Sequence, residues 1–263
     1  MQISKTNQVY FSATYTTQKV VSQISSQFKT DSTEYDITQG SVSNEVYFSN
    51  EELVIIGMPV YSSRIPSKCT EDLKLFKGNN TPAIIVCVYG NRDYDDALLE
   101  LHDIVINNGF KIISAGAFIG QHSIFPTVGT NRPDSSDFDK INIFANRSKA
   151  ILERIDDTSQ LDSLKVKGNN PYKIPNKATF YPEGDETCTQ CGTCAQLCPV
   201  SAIPENDPSK TDSNKCIACG RCIVVCPENS RHFNSPVYPL MSEKFTAANN
   251  TRKEPEYVFA NIK

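Results

Sequence analysis

The chain has 263 residues, a net charge of −4 and a pI near 5.5, long enough for one ordinary domain and a smaller module. It contains no basic block, so a nucleic-acid partner has no electrostatic footing. The first residues hold no apolar signal core and no later run has the length of a bilayer span, so a reducing, cytoplasmic setting is expected.

In chain order, Gln8 to Phe11 reads as a short strand and Lys19 to Phe28 as a helix with Val20, Ile24 and Phe28 at helical intervals. Between them lies the hydroxyl-rich turn Ser12-Ala-Thr14-Tyr-Thr16-Thr17. Such a turn suits a phosphate, because the first amides of the following helix are unpaired, and it equally suits an ordinary helix cap. After a weak strand near Glu34 to Ile37, Leu53-Val-Ile-Ile56 has the unbroken apolar character of a strand buried on both faces of a parallel sheet. It empties into Gly57-Met-Pro59-Val60-Tyr61-Ser-Ser-Arg64. Ala83 to Val88 empties into Tyr89-Gly90-Asn91-Arg92-Asp93-Tyr94-Asp95-Asp96 and a helix through about Asn107, and Phe110 to Ala117 ends in Phe118-Ile-Gly120-Gln-His122-Ser123. Polar and aromatic residues therefore gather after each strand, the layout of an open parallel sheet whose ligand sits beyond the carboxyl ends of the strands. Phe125 to Asp137 reads as a connecting loop, Asp139 to Ile155 as a closing helix, and the segment up to Pro182, with Gly168, Pro171 and Pro175, as a linker.

Eight of the ten cysteines then fall in two copies of C-x2-C-x2-C-x3-C-P: Cys188, Cys191, Cys194, Cys198 with Pro199, and Cys216, Cys219, Cys222, Cys226 with Pro227. This is the bacterial ferredoxin pattern for two four-iron clusters. A tight loop turns three sulfurs toward one inorganic core, and the fourth must come from elsewhere. Tetrahedral zinc closes with four ligands and gives no reason for a third cysteine at the same interval, twice over; a disulfide framework would need a secreted setting. By resemblance to two-cluster ferredoxins, the last cysteine of each run serves the other cluster. Cys188, Cys191, Cys194 and Cys226 would then hold one [4Fe-4S] cluster and Cys216, Cys219, Cys222 and Cys198 the other, which lets so short a segment fold around metal. Cys69 and Cys87 read as buried or incidental thiols. Between Glu183 and Ser230 there are seven acidic residues against three basic ones, an imbalance that either keeps the segment soluble or steers it to a basic docking patch on a redox partner protein.

The strand followed by Ser12-x-Thr14-x-x-Thr17, the Pro59-Val60-Tyr61 loop and the Tyr89-Gly90-Asn91-Arg92-x-Tyr94-Asp95-Asp96 loop, together with the cysteine runs, resemble the flavodoxin–ferredoxin fusion proteins of anaerobes over essentially the whole chain. The resemblance implies an α/β fold: a flavodoxin-like doubly wound five-stranded parallel sheet of order 2-1-3-4-5, plus a small α+β bacterial ferredoxin-like domain. It divides the chain into an FMN-binding domain (1–156), a linker (157–182), a two-cluster ferredoxin domain (183–230) and a C-terminal tail (231–263) whose aromatic residues pack on one of the domains. Ser12, Thr14, Thr16 and Thr17 would hold the FMN phosphate. Tyr61, with Tyr89 or Tyr94, would stack on the isoalloxazine beside Pro59 and Val60, and Gly90 and Asn91 would give backbone contacts to its polar edge. Each has a plainer rival: Tyr61 as loop filler, Tyr94 as the start of a packed helix, Arg64 and Arg92 paired with nearby carboxylates, His122 as a structural hydrogen-bonding group. Tyr15 stands where the family usually has glycine. Either the turn is drawn differently, or Tyr15 covers the ligand, or flavin binds weakly. The function implied is an electron-transfer iron–sulfur flavoprotein that couples one-electron and two-electron partners. A flavin-dependent reductase fed by the clusters, and a ferredoxin on a flavin-free docking scaffold, are the alternatives.

Overall fold

The computed structural model describes residues 1–176 and 179–263; Lys177 and Ala178, inside the expected linker, lie outside it. From the N-terminus, β1 (Lys5–Tyr10) leads through the hydroxyl-rich turn into α1 (Thr16–Ser26) and β2 (Asp31–Asp36). A short strand β3 (Val46–Phe48) precedes β4 (Glu52–Pro59) and α2 (Ser67–Leu73), and pairs outside the main sheet with β5 (Phe76–Gly78). β6 (Thr81–Tyr89), α3 (Ala97–Asn107), β7 (Phe110–Ile119) and α4 (Ser135–Glu153) complete the alternation. The parallel strands lie in the order β2-β1-β4-β6-β7, which is the 2-1-3-4-5 order of a flavodoxin-like sheet, as expected.

The apolar runs explain the order. Leu53 to Ile56 and Ala83 to Cys87 are buried along their whole length, because α1 and α4 pack together against one side of the sheet and α2 and α3 against the other. β2, Asp-Ser-Thr-Glu-Tyr-Asp, is polar and largely exposed, the composition suited to an edge. Polar residues buried in β1 are satisfied by their neighbours: Gln8 Nε2 donates to Ser32 Oγ at 2.7 Å, and the Thr6 and Thr30 hydroxyls meet at 2.6 Å. The helix after β1 starts at Thr16, earlier than the apolar spacing alone indicates, so Thr16 and Thr17 form its first turn.

Beyond the linker, β8 (Pro182–Gly184) pairs antiparallel with β9 (Arg231–Phe233) and brackets two short helices, α5 (Thr193–Gln196) and α6 (Arg221–Val224). The cysteine runs repeat in backbone as well as in sequence. Gln190 and Ala218, Gly192 and Gly220, and Ser201 and Asn229 all have positive φ, each 28 residues after its counterpart. Gly192 and Gly220 start α5 and α6 in the left-handed region at φ 79° and 77°, where a Cβ would be strained.

The tail, expected on one domain, binds both parts of the chain. In α7 (Tyr238–Asn249), Tyr238 and Phe245 pack into an apolar cluster with Phe125 of the sheet domain, Phe180 at the end of the linker, Phe233 of β9 and Ala218 of the cysteine-rich part. β10 (Glu256–Phe259) then pairs antiparallel with β7 as a sixth strand, covering an edge that the flavodoxin-like core would leave bare. Among the described residues no helix is long and apolar enough to cross a membrane.

Candidate cofactor sites

The loops that follow β1, β4, β6 and β7 open into one cavity at the carboxyl ends of the strands, spanning the point between β1 and β4 where the sheet order reverses. Thr14, Thr16 and Thr17 line it on one side, Pro59, Val60 and Tyr61 on another, Tyr89 and Gly90 on a third. Ile217 and Ala218, from the second cysteine run, close it.

At the start of α1 no side chain of the N-cap residue Tyr15 caps the helix. Ser12 Oγ accepts Gln18 N–H at 3.0 Å, so this serine, 3% exposed, serves the helix and does not line the cavity. The first amides of α1 and the Thr14 and Thr16 hydroxyls form the anion-seeking end. Tyr15 adopts φ 63°, ψ 0°, the left-handed conformation that glycine takes easily and a bulky residue seldom does. The turn is therefore not redrawn, and Tyr15 is not among the residues lining the cavity. Its ring lies under the Arg221 guanidinium, 4.8 Å from the ring centroid, while Arg221 Nη1 donates to Ala13 O at 3.3 Å. The tyrosine is used for docking the cysteine-rich part onto the turn.

Tyr61 and Arg64 exchange backbone hydrogen bonds at 2.8 and 3.2 Å, and the residues between them, Ser62 and Ser63, have φ 49° and 77°, a type I′ arrangement. Ser63 Oγ donates to Asp95 Oδ2 at 2.8 Å, tying this turn to the loop after β6. The Tyr61 phenol is held well above its ordinary range by burial and then by the neighbouring Cys219; this candidate stacking residue stands beside the second cysteine run. Burial first, and Glu256 and Asp93 after it, push Tyr89 up to about 12.

One expected ring contact falls elsewhere, and the side chain of Asn91, whose backbone was the expected contact, is committed to the tail. The Asn91 amide donates to Asn249 O at 2.7 Å and Thr251 O at 2.9 Å, and Tyr94, 3% exposed, donates its hydroxyl to Glu256 at 2.7 Å under Lys167. Both hold the tail, and neither lines the cavity. Arg64 makes a two-pronged pair with Glu100 at 2.6 and 2.7 Å, and Arg92 pairs with Asp95. His122 lines the cavity with Nδ1 accepting the Ile124 and Phe125 N–H groups, each at 3.1 Å. Burial, helped by Arg92, lowers its pKa to about 4, so the ring is neutral and carries its proton on Nε2. Phe245, Ile217, Ala218 and Arg221 were not among the residues expected here, since nothing in the local sequence places them against the sheet.

In the cysteine-rich part, Cys188, Cys191, Cys194 and Cys226 surround one small cavity. Cys219 is pushed up to about 12 by burial and by the thiols of Cys222, Cys198 and Cys216, and Cys222 to about 11, chiefly by burial. Backbone amides point at sulfur: Ala202 N to Cys198 at 3.3 Å, Ala218 N to Cys216 and Ser230 N to Cys226 at 3.4 Å. Among the described residues no three His, Cys, Asp or Glu side chains converge tightly enough for one ion. Four sulfurs arranged around a space, with amide donors at Cys198, Cys216 and Cys226, fit a cluster in which every thiolate binds its own iron better than a mononuclear site. Cys191 is exposed, whereas Cys219 and Cys222 are buried. Cys69 and Cys87 are buried in the sheet domain, their thiols pushed up by burial.

Comparison with known proteins bears on the cysteine-rich part first. Residues 183–228 match the family described as the 4Fe-4S dicluster domain. A search of curated proteins returns no match. Among solved structures, rubredoxin oxygen:oxidoreductase from Desulfovibrio gigas is similar over 57% of this chain and 37% of its own length, at 15% identity and a TM-score of 0.40. A flavodoxin from the domain Archaea is similar over 57% of this chain and 99% of its own, at 10% identity and 0.43. A Fusobacterium nucleatum flavodoxin mutant bound to flavin mononucleotide is similar over 57% and 98%, at 17% identity and 0.42. The chain thus spans little more than a third of the D. gigas enzyme. Strand order and cysteine pattern together define the class: a flavodoxin-like parallel sheet joined to a ferredoxin-like 4Fe-4S dicluster segment.

Proposed function

We propose that the chain is an electron-transfer iron–sulfur flavoprotein, with FMN in the strand-end cavity and two [4Fe-4S] clusters in the crossed sets Cys188, Cys191, Cys194, Cys226 and Cys216, Cys219, Cys222, Cys198. When bound, the clusters supply single electrons and the flavin one or two. The observation that carries the reading is that Ile217 and Ala218, inside the second ligand loop, form a wall of the cavity whose other walls are the strand-end loops. The second cluster would then stand next to the flavin and the first one farther out.

The chain's own residues have definite parts. Thr14, Thr16 and Thr17, with the first amides of α1, receive the phosphate. Tyr61 and Tyr89 flank the ring system, and the Ile217–Ala218 loop with Phe245 keeps water from it. His122, neutral through the physiological range, presents a hydrogen bond without a charge. At the outer end Cys191 is exposed, and Asp185, Glu186 and Glu228 lie near its ligand set, which suits a partner protein with a basic docking patch. All ten cysteines are free, in keeping with a reducing, cytoplasmic setting.

Protein purified without oxygen tests this. Iron and sulfide for two cubane clusters and one FMN per chain are expected, with the flavin reduced through the clusters by a limiting one-electron donor. Colourless, iron-free protein would sink the proposal. Turnover of a small acceptor without any partner protein would instead favour the flavin-dependent reductase.

A further inference from the structure

Arg231 is 2% exposed and heads the fully buried side chains by size. Its guanidinium donates to Pro208 O, to Pro182 O at 2.7 Å and to the Thr211 hydroxyl, all neutral acceptors, while Nε has no partner. Among the described residues no carboxylate pairs with it. A buried cation without a counter-charge is strongly unfavourable, so this site calls for an anion. The group it faces is sulfur: Nη1 lies 3.8 Å from Cys194 Sγ.

The internal repeat shows that the fold itself does not require this charge. The position 28 residues earlier, in the same place after the first Cys-Pro, is Ile203, 5% exposed and packed with Cys194, Ala195 and Cys222. One copy of the motif buries an isoleucine here and the other an arginine, on backbones that match in their positive-φ residues.

We propose that Arg231 is a built-in positive charge that raises the reduction potential of the cluster held by Cys188, Cys191, Cys194 and Cys226. The inference rests on the two-cluster reading above. A four-iron cluster with four thiolates is an anion that gains one further negative charge with each electron accepted, so a fixed cation a few ångströms away, shielded from water, favours the reduced form. Among the described residues, the sulfur that its guanidinium meets at hydrogen-bonding distance is Cys194 Sγ, which belongs to the first set. It therefore tunes the outer cluster most and keeps the two potentials unequal. It is a positioning residue for charge, neither ligand nor proton donor.

The test is an anaerobic redox titration of the full cluster-loaded chain, with dithionite as electron donor and electron paramagnetic resonance resolving the two clusters, for wild type, Arg231→Gln, Arg231→Ile and Arg231→Lys. The neutral variants are expected to shift the outer cluster's one-electron equilibrium at least tenfold toward the oxidised form, 59 mV downward, with Arg231→Lys shifting less than half as far. A merely structural role would not separate lysine from glutamine. Unchanged potentials in Arg231→Gln with both clusters present overturn the inference. Failure of both neutral variants to assemble clusters while Arg231→Lys assembles them supports it, and failure of Arg231→Lys as well overturns it. Wild-type protein without iron would instead overturn the cofactor reading beneath it.

Discussion

Tyr15 shows how a single side chain can stand in a glycine's place when a contact from another part of the chain holds it there. Its backbone is strained by about 1 kcal/mol or more, and the Arg221 guanidinium over its ring returns a comparable amount. Arg221 itself is 8% exposed, with Nε unpartnered. Its charge lies against the outside of the turn that offers amides and hydroxyls to a phosphate. We therefore expect Arg221→Gln to weaken FMN binding roughly tenfold and to leave riboflavin binding unchanged; equal losses for both would show that the arginine acts only by packing. His122 makes a different prediction. Its pKa is about 4 in the fold against 6.5 unfolded, so the unfolded chain takes up the proton first as pH falls. The stability it contributes is full above about pH 6.5 and lost progressively toward pH 4. His122→Gln should flatten that part of the stability curve, as followed by thermal melts across the range, and an unaltered slope would place the acid sensitivity elsewhere.

Among the elements, β10 is the one whose removal has the clearest consequence. It pairs Glu256 to Phe259 with Ala117 to Ser114 and covers the edge of the long apolar strand β7. Deleting residues 250–263 should lower the melting temperature by about 5 °C or more and make the protein associate with rising concentration on size-exclusion chromatography. A truncated chain that stays monomeric and equally stable would mean that the edge needs no cover. This strand was also the element least legible in the sequence. Its four residues alternate between exposed and half-buried, and its partner lies some 140 residues upstream, so no local signal could set the pairing. β4, β6 and β7 were legible because strands buried on both faces must be apolar throughout. The cysteine runs were legible because cluster geometry dictates spacing. The cavity was half legible. Position after a strand picked out the loops that line it, but Tyr94 has a side chain as fit to hold a tail as to meet a flavin, and Glu256, which decides the matter, is far away in sequence.

At the scale of the whole molecule, the two parts do not hang from a flexible tether. Phe125, Phe180, Phe233, Tyr238 and Phe245 form one apolar cluster across them, and Arg221 fastens the second cysteine run to the turn after β1. With the proposed cluster in the second cysteine run, the cavity wall would be only as firm as the metal that shapes Ile217 and Ala218. Stripping iron from the anaerobic protein with a chelator should release the FMN in the same step, detectable as free yellow flavin after ultrafiltration; flavin retained by iron-free protein would show the wall to be self-supporting.

That shared wall also decides how the molecule fails. If the cavity and the second cysteine run hold the groups proposed for them, oxygen that destroys the inner cube would loosen the loop and let the yellow group diffuse away, so that injury would remove both prosthetic groups together. What remained would be an inert polypeptide, in place of a half-disabled carrier spilling electrons onto air.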